Sequence, residues 1–318
     1  MGGLKIYTGM RPAQQRAAEE AVDKGLEALD KRQGWRGPLT RLERDAMATL
    51  TEKLKAKLEA SSAEGQTRSW DLSRIGRLQP PVPADQILDS ARIRPFVLKR
   101  RYAGIVHSVA DAGQRAVVDL GGVQVALPKR SGIGWARKFN IHRRTRRPRR
   151  PSDVLNVGDV VMVRALEKNK EGEGLGVLEQ PPKAQAALVS IDPHTREVVA
   201  LVGGYGVGAG PINRAVQASR QAGSTFKPFV YAAAFETQKY SPVTRCLDAP
   251  RVYRDPWTQR SWKPQNYGRK FDGEITLRTA LTLSKNLCSV ELIDKIGVDA
   301  VLGFAQRAGI YSALPRNL

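Results

Sequence analysis

Cysteine is nearly absent from this 318-residue chain, and acidic residues are scarce. Only Cys246 and Cys288 occur. Their spacing does not suit a metal site, and both sit among apolar neighbours, so the expectation is two buried free thiols rather than a disulfide or a ligand pair. No apolar run approaches the roughly 20 residues of a membrane-spanning helix. No secretory signal is visible at the N-terminus. MGGLKI has Ile6 where N-myristoylation needs Ser or Thr. Acids number 31 against 52 lysines and arginines, a net charge of +21. Such an excess favours anionic partners: nucleic acid, a headgroup surface or an acidic polymer. It does not choose among them.

What is present divides into three stretches. Residues 1–92 read as a helical linker segment. One helix carries Ala18, Ala21, Val22 and Leu29 on a single face. A second is expected to follow Thr40, with Glu43 three residues on completing a capping box. It repeats apolar residues at Leu42, Ala46, Leu50, Leu54 and Leu58. Residues 93–182 hold five short strands separated by turn signals, the pattern of a small, partly open OB-like β-barrel. Within them RKFNIHRRTRRPRR, residues 137–150, has eight lysines and arginines and no acid. It cannot bury itself, and reads as a solvated loop for docking to an anionic membrane or wall polymer. Nucleic acid is not expected there. The nearby aromatics, Phe96, Tyr102, Trp135 and Phe139, are too few for a stacking platform. Residues 183–318 open with a hairpin around Asp-Pro-His-Thr. Gly204, Gly206 and Ala209 fit G-x-G-x-x-A, but the strands before them form a hairpin, so a dinucleotide site is rejected. Helical patterns follow at 224–238, 276–296 and 298–308.

The third stretch carries the chemistry. RQAGSTFKPFVYAAAFE places Ser224 and Lys227 three apart. Pro228 is tolerated only in a first turn, so a helix must start near Ser224. Ser224 as a plain N-cap is the bland alternative. As chemistry, the spacing puts Lys227 on the same face as the Ser224 hydroxyl. Small and apolar neighbours desolvate the ammonium and lower its pKa, and a neutral lysine activates a weak serine nucleophile. About sixty residues on stands Ser284-Lys285-Asn286. Ser-x-x-Lys with Ser-x-Asn is the motif pair of penicillin-binding proteins and β-lactamases. Lys285 between them reads as a solvent-facing or neighbouring charge, not as a catalytic group.

NRAVQASRQAGSTFKPFVYAAAFE and WKPQNYGRKFDGEITLRTALTLSKN, with Asn266 and the Gly273–Leu277 lead-in, resemble the active-site segments of class A, high-molecular-weight penicillin-binding proteins. ALVSIDPHTREVVALVGG resembles the first two strands of their transpeptidase domain, and GGLKIYTGMRPAQQRAAEEAV the segment joining their glycosyltransferase and transpeptidase domains. The 1A branch also carries an OB-like insertion. The resemblance implies a multi-domain α/β protein: helical linker, OB-like barrel, and the first part of a β-lactamase-like, α+β serine transpeptidase domain. It implies peptidoglycan stem peptides as substrate and β-lactams as inhibitors, with no metal or cofactor. Ser224 would be the nucleophile and Lys227 its base. Ser284 would relay the proton to the leaving amine, and Asn286 would hold the donor and Lys227. The site would lie on the outer face of a bacterial inner membrane.

The family's third motif, Lys-Thr-Gly or Lys-Ser-Gly, does not occur in these residues. The chain therefore reads as an internal piece of a bifunctional enzyme. Two other function classes remain: an inactive remnant or scaffold of the same family, and an OB-type module that binds anionic polymer.

Overall fold

Pro12 opens the first helix, where its missing N–H would have no partner anyway. This computed structural model describes residues 5, 7–61, 66–77, 82–140, 142–143, 145–168, 173–206, 212–254 and 261–314. They fall into two compact units, Met1–Ala218 and Ser219–Leu318.

In the first unit, α1 (Pro12–Gln33) buries Ala18, Val22, Leu26 and Asp30 at four-residue spacing. The expected face is turned slightly: Ala21 is exposed and Leu29 half-buried. The buried stripe runs on to Asp30, whose carboxylate takes hydrogen bonds from Arg36 and Gln180. Thr40 does not cap a helix. It lies in β1 (Thr40–Arg41), pairs with Val160, and its hydroxyl accepts from Val82 N at 3.3 Å. α2 (Arg44–Ala60) instead starts after Glu43, with no side-chain cap. The expected capping box fails because strand pairing draws Thr40 away from the helix end. Leu50 and Leu54 of α2 pack with Trp70, Leu72, Ile75 and Ile87. These come from β2 (Arg68–Asp71), the short turn after it, and α3 (Ala84–Ser90). β2 pairs antiparallel with β3 (Arg92–Pro95).

The five expected strands are β4 (Arg101–Ala110), β5 (Arg115–Asp119), β6 (Gln124–Pro128), β7 (Asp159–Lys168) and β8 (Gly174–Glu179). They pair in the ring β4–β5–β6–β8–β7–β4, so the barrel is closed rather than partly open. A parallel pair, Val125↔Gly174 and Ala126↔Leu175, makes the closure. Gly176 allows it: a Cβ there would lie 2.7 Å from Val125 Cγ1 of β6. Tyr102, Val106, Val118, Val125, Leu127, Leu155 and Val163 fill the interior. Tyr102 is thus a core residue, stacked on Phe96, and Trp135 meets Trp35 edge-on at 5.9 Å. Neither is part of a surface for stacking bases.

α1 is tied to the barrel by charge. Glu179 of β8 is fully buried and accepts from Arg164 at 2.6 Å and Lys31 at 3.0 Å. Glu27 of α1 pairs with Arg164 at 3.2 Å and with Arg101. The other side of α1 packs on a hairpin, β9 (Leu188–Ile191) and β10 (Val198–Val202), through Ala18, Val22, Leu26, Ala200 and Val202. Asp192 shapes its turn by accepting from the amides of His194 and Thr195. A single helical turn, α4 (Arg214–Gln217), is capped by Asn213.

In the second unit a 3₁₀ turn, Gly223–Phe226, runs into α5 (Lys227–Glu236). β11 (Arg245–Asp248) follows. β12 (Tyr253–Arg254) pairs with β13 (Ser261–Trp262), and β14 (Gly273–Thr276) returns to pair with β11. The helical pattern expected over 276–296 is broken into α6 (Leu277–Thr282) and α7 (Asn286–Ile296), and α8 (Val298–Arg307) closes the unit. Val230, Tyr231, Ala234, Ala280, Leu292 and Val301 form the core. The two cysteines are not free thiols. Cys246 on β11 and Cys288 in the first turn of α7 form a disulfide with 5.7 Å between Cα atoms. Strand and helix pack face to face here, which brings both side chains within bonding reach.

Candidate active site

Gly223 starts the site with φ +57°, a conformation glycine adopts at no steric cost. The chain then tightens into the 3₁₀ turn. Lys227 N donates to Ser224 O, so the two residues stand one turn apart. Ser224 is exposed, and its hydroxyl makes no hydrogen bond among the described residues. Lys227 is 9 % exposed.

The Lys227 ammonium points at the second motif, not at Ser224. Nζ donates to Asn286 Oδ1 at 2.7 Å, to Ser284 O at 2.6 Å and to Ser284 Oγ at 3.0 Å. Among the described residues it has no carboxylate partner. Burial holds its pKa below the ordinary lysine value. Its three acceptors are all neutral, and it is burial that favours the uncharged amine able to take up a proton.

Ser284 reaches this position through the break between α6 and α7. Its backbone is left-handed, φ +54°. Ser284 N donates to Leu281 O and Lys285 N to Ala280 O, which turns the chain sharply out of α6. Asn286 then begins α7. Its N–H donates to Asn266 Oδ1 at 2.8 Å and its Nδ2 to Gln265 O at 2.7 Å. Asn266 is buried, and Nδ2 bonds Asp248 Oδ1 at 2.7 Å and Lys270 O at 2.9 Å.

The structure therefore joins Lys227, Ser284 and Asn286 directly and sets Ser224 one turn away with a free hydroxyl. Lys285 departs from expectation. It does not face solvent: it is 8 % exposed, with Nζ 3.0 Å from Asp248 Oδ2 and 2.5 Å from Asp272 Oδ2. Hydrogen bonding to Asp272 holds its pKa above the ordinary lysine value. Sequence reasoning missed Asp248 altogether, because RCLDAP has no motif spacing. Its one signal is an acid ending a short apolar strand.

A cavity of about 430 Å³ opens beside Lys227. Phe226, Val230, Ile293, Trp262, Lys263 and Asn286 line it. Such a cleft accepts a mainly apolar ligand with a few fixed polar contacts. Among the described residues there is no cluster of side chains suited to a metal ion.

Residues 186–317 match the family model of the penicillin-binding protein transpeptidase domain, and residues 78–184 that of the penicillin-binding protein OB-like domain. Penicillin-binding protein 1A of Pseudomonas aeruginosa is 32 % identical over 99 % of this chain, and that of Neisseria gonorrhoeae 33 % identical over 99 %. The match spans 33 % and 34 % of those proteins, so the chain covers about a third of the length of these curated relatives. The crystal structure of penicillin-binding protein 1A from Haemophilus influenzae superposes with a TM-score of 0.64 at 26 % identity, covering 96 % of this chain and 37 % of that one. With an OB-like barrel followed by a transpeptidase-domain segment, and relatives matched along nearly its whole length, the chain belongs to the penicillin-binding protein family.

Proposed function

We propose that this chain carries the serine, lysine and Ser-x-Asn portion of a peptidoglycan D,D-transpeptidase. The observation that carries the reading is the Lys227 amine, buried, held by Ser284 and Asn286, and one helical turn from Ser224. Neutral Lys227 takes the proton of Ser224 as its oxygen attacks the carbonyl between two terminal D-alanines. This requires the exposed hydroxyl to turn toward Nζ. The tetrahedral intermediate collapses by breaking the C–N bond. The proton passes from Lys227 through Ser284 Oγ to the departing D-alanine amine, along a 3.0 Å contact already formed. An amino group of a second stem peptide then attacks the ester, and its proton returns to Ser224 by the reverse route. With water in place of that amine, the same steps give carboxypeptidase activity. A β-lactam acylates Ser224 because its amide mimics the D-alanyl-D-alanine bond.

The substrate places this chemistry at the periplasmic face of the inner membrane. Among the described residues no helix is long and apolar enough to cross a membrane. The exposed Arg143, Arg146, Arg147, Arg149 and Arg150 suit an anionic membrane or wall polymer. The domain reading, linker to residue 92, OB-like module over 93–182 and transpeptidase part over 183–318, belongs to the same proposal.

Labelling the full chain with a fluorescent penicillin tests it. A covalent adduct lost in Ser224→Ala supports the reading. No adduct at saturating probe supports an inactive scaffold instead.

A further inference from the structure

Ser284 is not glycine, asparagine or aspartate, yet it sits at φ +54°. A left-handed serine persists only where its surroundings over-determine it. The bonds on each side of Ser284 show what does so. Lys285 follows immediately. Its backbone N–H is bound to Ala280 and its carbonyl accepts from Ser289 Oγ at 2.9 Å. Its side chain is buried against Asp248 and Asp272. Asp248, fully buried, is the hub: Oδ2 also accepts from Asp272 N at 3.0 Å, and Oδ1 from Asn266 Nδ2 at 2.7 Å. Asn266 in turn accepts from Asn286 N. The residues before and after the Ser-x-Asn corner thus meet at one carboxylate on β11.

We infer that Asp248, Lys285 and Asn266 form a positioning brace that fixes Ser284 and Asn286 against Lys227 during catalysis. The inference rests on the transpeptidase reading, which assigns those two residues their work. None of the three brace side chains touches Ser224, so they act through the corner. A disulfide and apolar core already fasten α7 to β11 nearby. Stability alone does not require a buried ion pair there, since an apolar pair of similar size does as well or better. What the charges add is direction. Two carboxylates and one ammonium admit one register of the corner, and the Asn266 amide copies that register onto the Asn286 backbone. Slippage by an ångström would detach Lys227 from its three acceptors and admit water. A misplacement of that size commonly costs about 10²-fold in rate.

Lys227 reports on the brace even without turnover. The groups near it are Ser284, Asn286 and, lining the same cavity, Lys263. In the folded chain its midpoint can be read by amine labelling against pH, with mass spectrometry of the 227 peptide. Lys285→Met alone strands a buried Asp248 and risks unfolding. The test therefore pairs Asp248→Asn/Lys285→Met, which removes both charges, with Lys285→Arg, which keeps the cation. In the double variant, which keeps only the Asp272 carboxylate of the three charges, the Lys227 midpoint should rise toward that of exposed lysines. Acylation by benzylpenicillin should slow by at least about tenfold, with its pH profile displaced upward. Lys285→Arg should restore most of both. Folding is checked separately by the denaturant midpoint and the intact disulfide. A double variant or an arginine variant that folds less stably but leaves the Lys227 midpoint and the pH profile unchanged overturns the brace. So does a folded arginine variant that behaves no better than the double variant. If the unsubstituted chain gives no penicillin adduct, the transpeptidase reading falls, while the labelling midpoints still decide the brace.

Discussion

The Cys246–Cys288 bond offers the most quantitative check on the second unit. It joins positions 42 apart, closing a loop that contains β12, β13, β14 and α6. Cross-linking a loop of that length removes chain entropy from the unfolded state worth about 4 kcal/mol. Both sulfurs lie in the core, so the folded geometry needs little rearrangement when the bond is cut. Hydrogen exchange of the α5 and α7 amides reads this locally, without assuming that the whole chain unfolds in one step. Reduction, or Cys246→Ala/Cys288→Ala, should speed the slowest of those amides by about 10³-fold, at 1.4 kcal/mol per factor of ten. Amides of the barrel strands should be unaffected. Two alkylatable thiols in the folded, unreduced chain would refute the reasoning at its first step. Equal protection with and without the bond would refute the second.

Lys227→Ala should lower penicillin acylation by about 10²–10⁴-fold, the usual worth of a general base. In the unsubstituted chain the neutral amine is the active form, so acylation should climb as pH rises through the Lys227 pKa, and that rise should come below the ordinary lysine value of 10.5 because burial depresses it. A profile flat across that range in stopped-flow assays would contradict the assignment. In the first unit, Gly121→Ala should destabilise by about 1–3 kcal/mol. The new Cβ meets the Trp70 ring at 2.6 Å and the backbone sits at φ +85°. Thermal unfolding followed by tryptophan fluorescence reads the loss, and an unchanged midpoint counts against the packing described for Trp70.

Local patterns carried far in this sequence. The alternating strands of the barrel, the hairpin before the active-site segment, and the turn that Pro228 forces near Ser224 were all readable from side-chain period and backbone restriction. The closure of the barrel was not, because it depends on one parallel contact between segments fifty residues apart. Thr40 has the chemistry of a helix cap but is claimed by a strand partner over a hundred residues away. Cys246 and Cys288 looked like isolated thiols because nothing local shows that β11 packs on α7. The same gap hid Lys285. Its neighbours in sequence suggest a surface, and both carboxylates that bury it arrive from elsewhere. In the candidate site, motif spacing named the four residues. Only the fold shows that Lys227 leans toward Ser284 and Asn286 while Ser224 stands free.

The charged seam between α1 and the barrel has a mechanical consequence. A helix lodged in a greasy groove can creep, because one methyl group serves nearly as well as the next. α1 has no such freedom, since Glu179 has no water to turn to if Lys31 moves off. Sliding by one turn would strip Glu179 of Lys31 and Arg164 of Glu27, leaving the buried carboxylate with its barrel partner alone. The helix works as a key cut for one lock. Any pull on its first residues is passed to the barrel wall and the hairpin together instead of being lost in slippage.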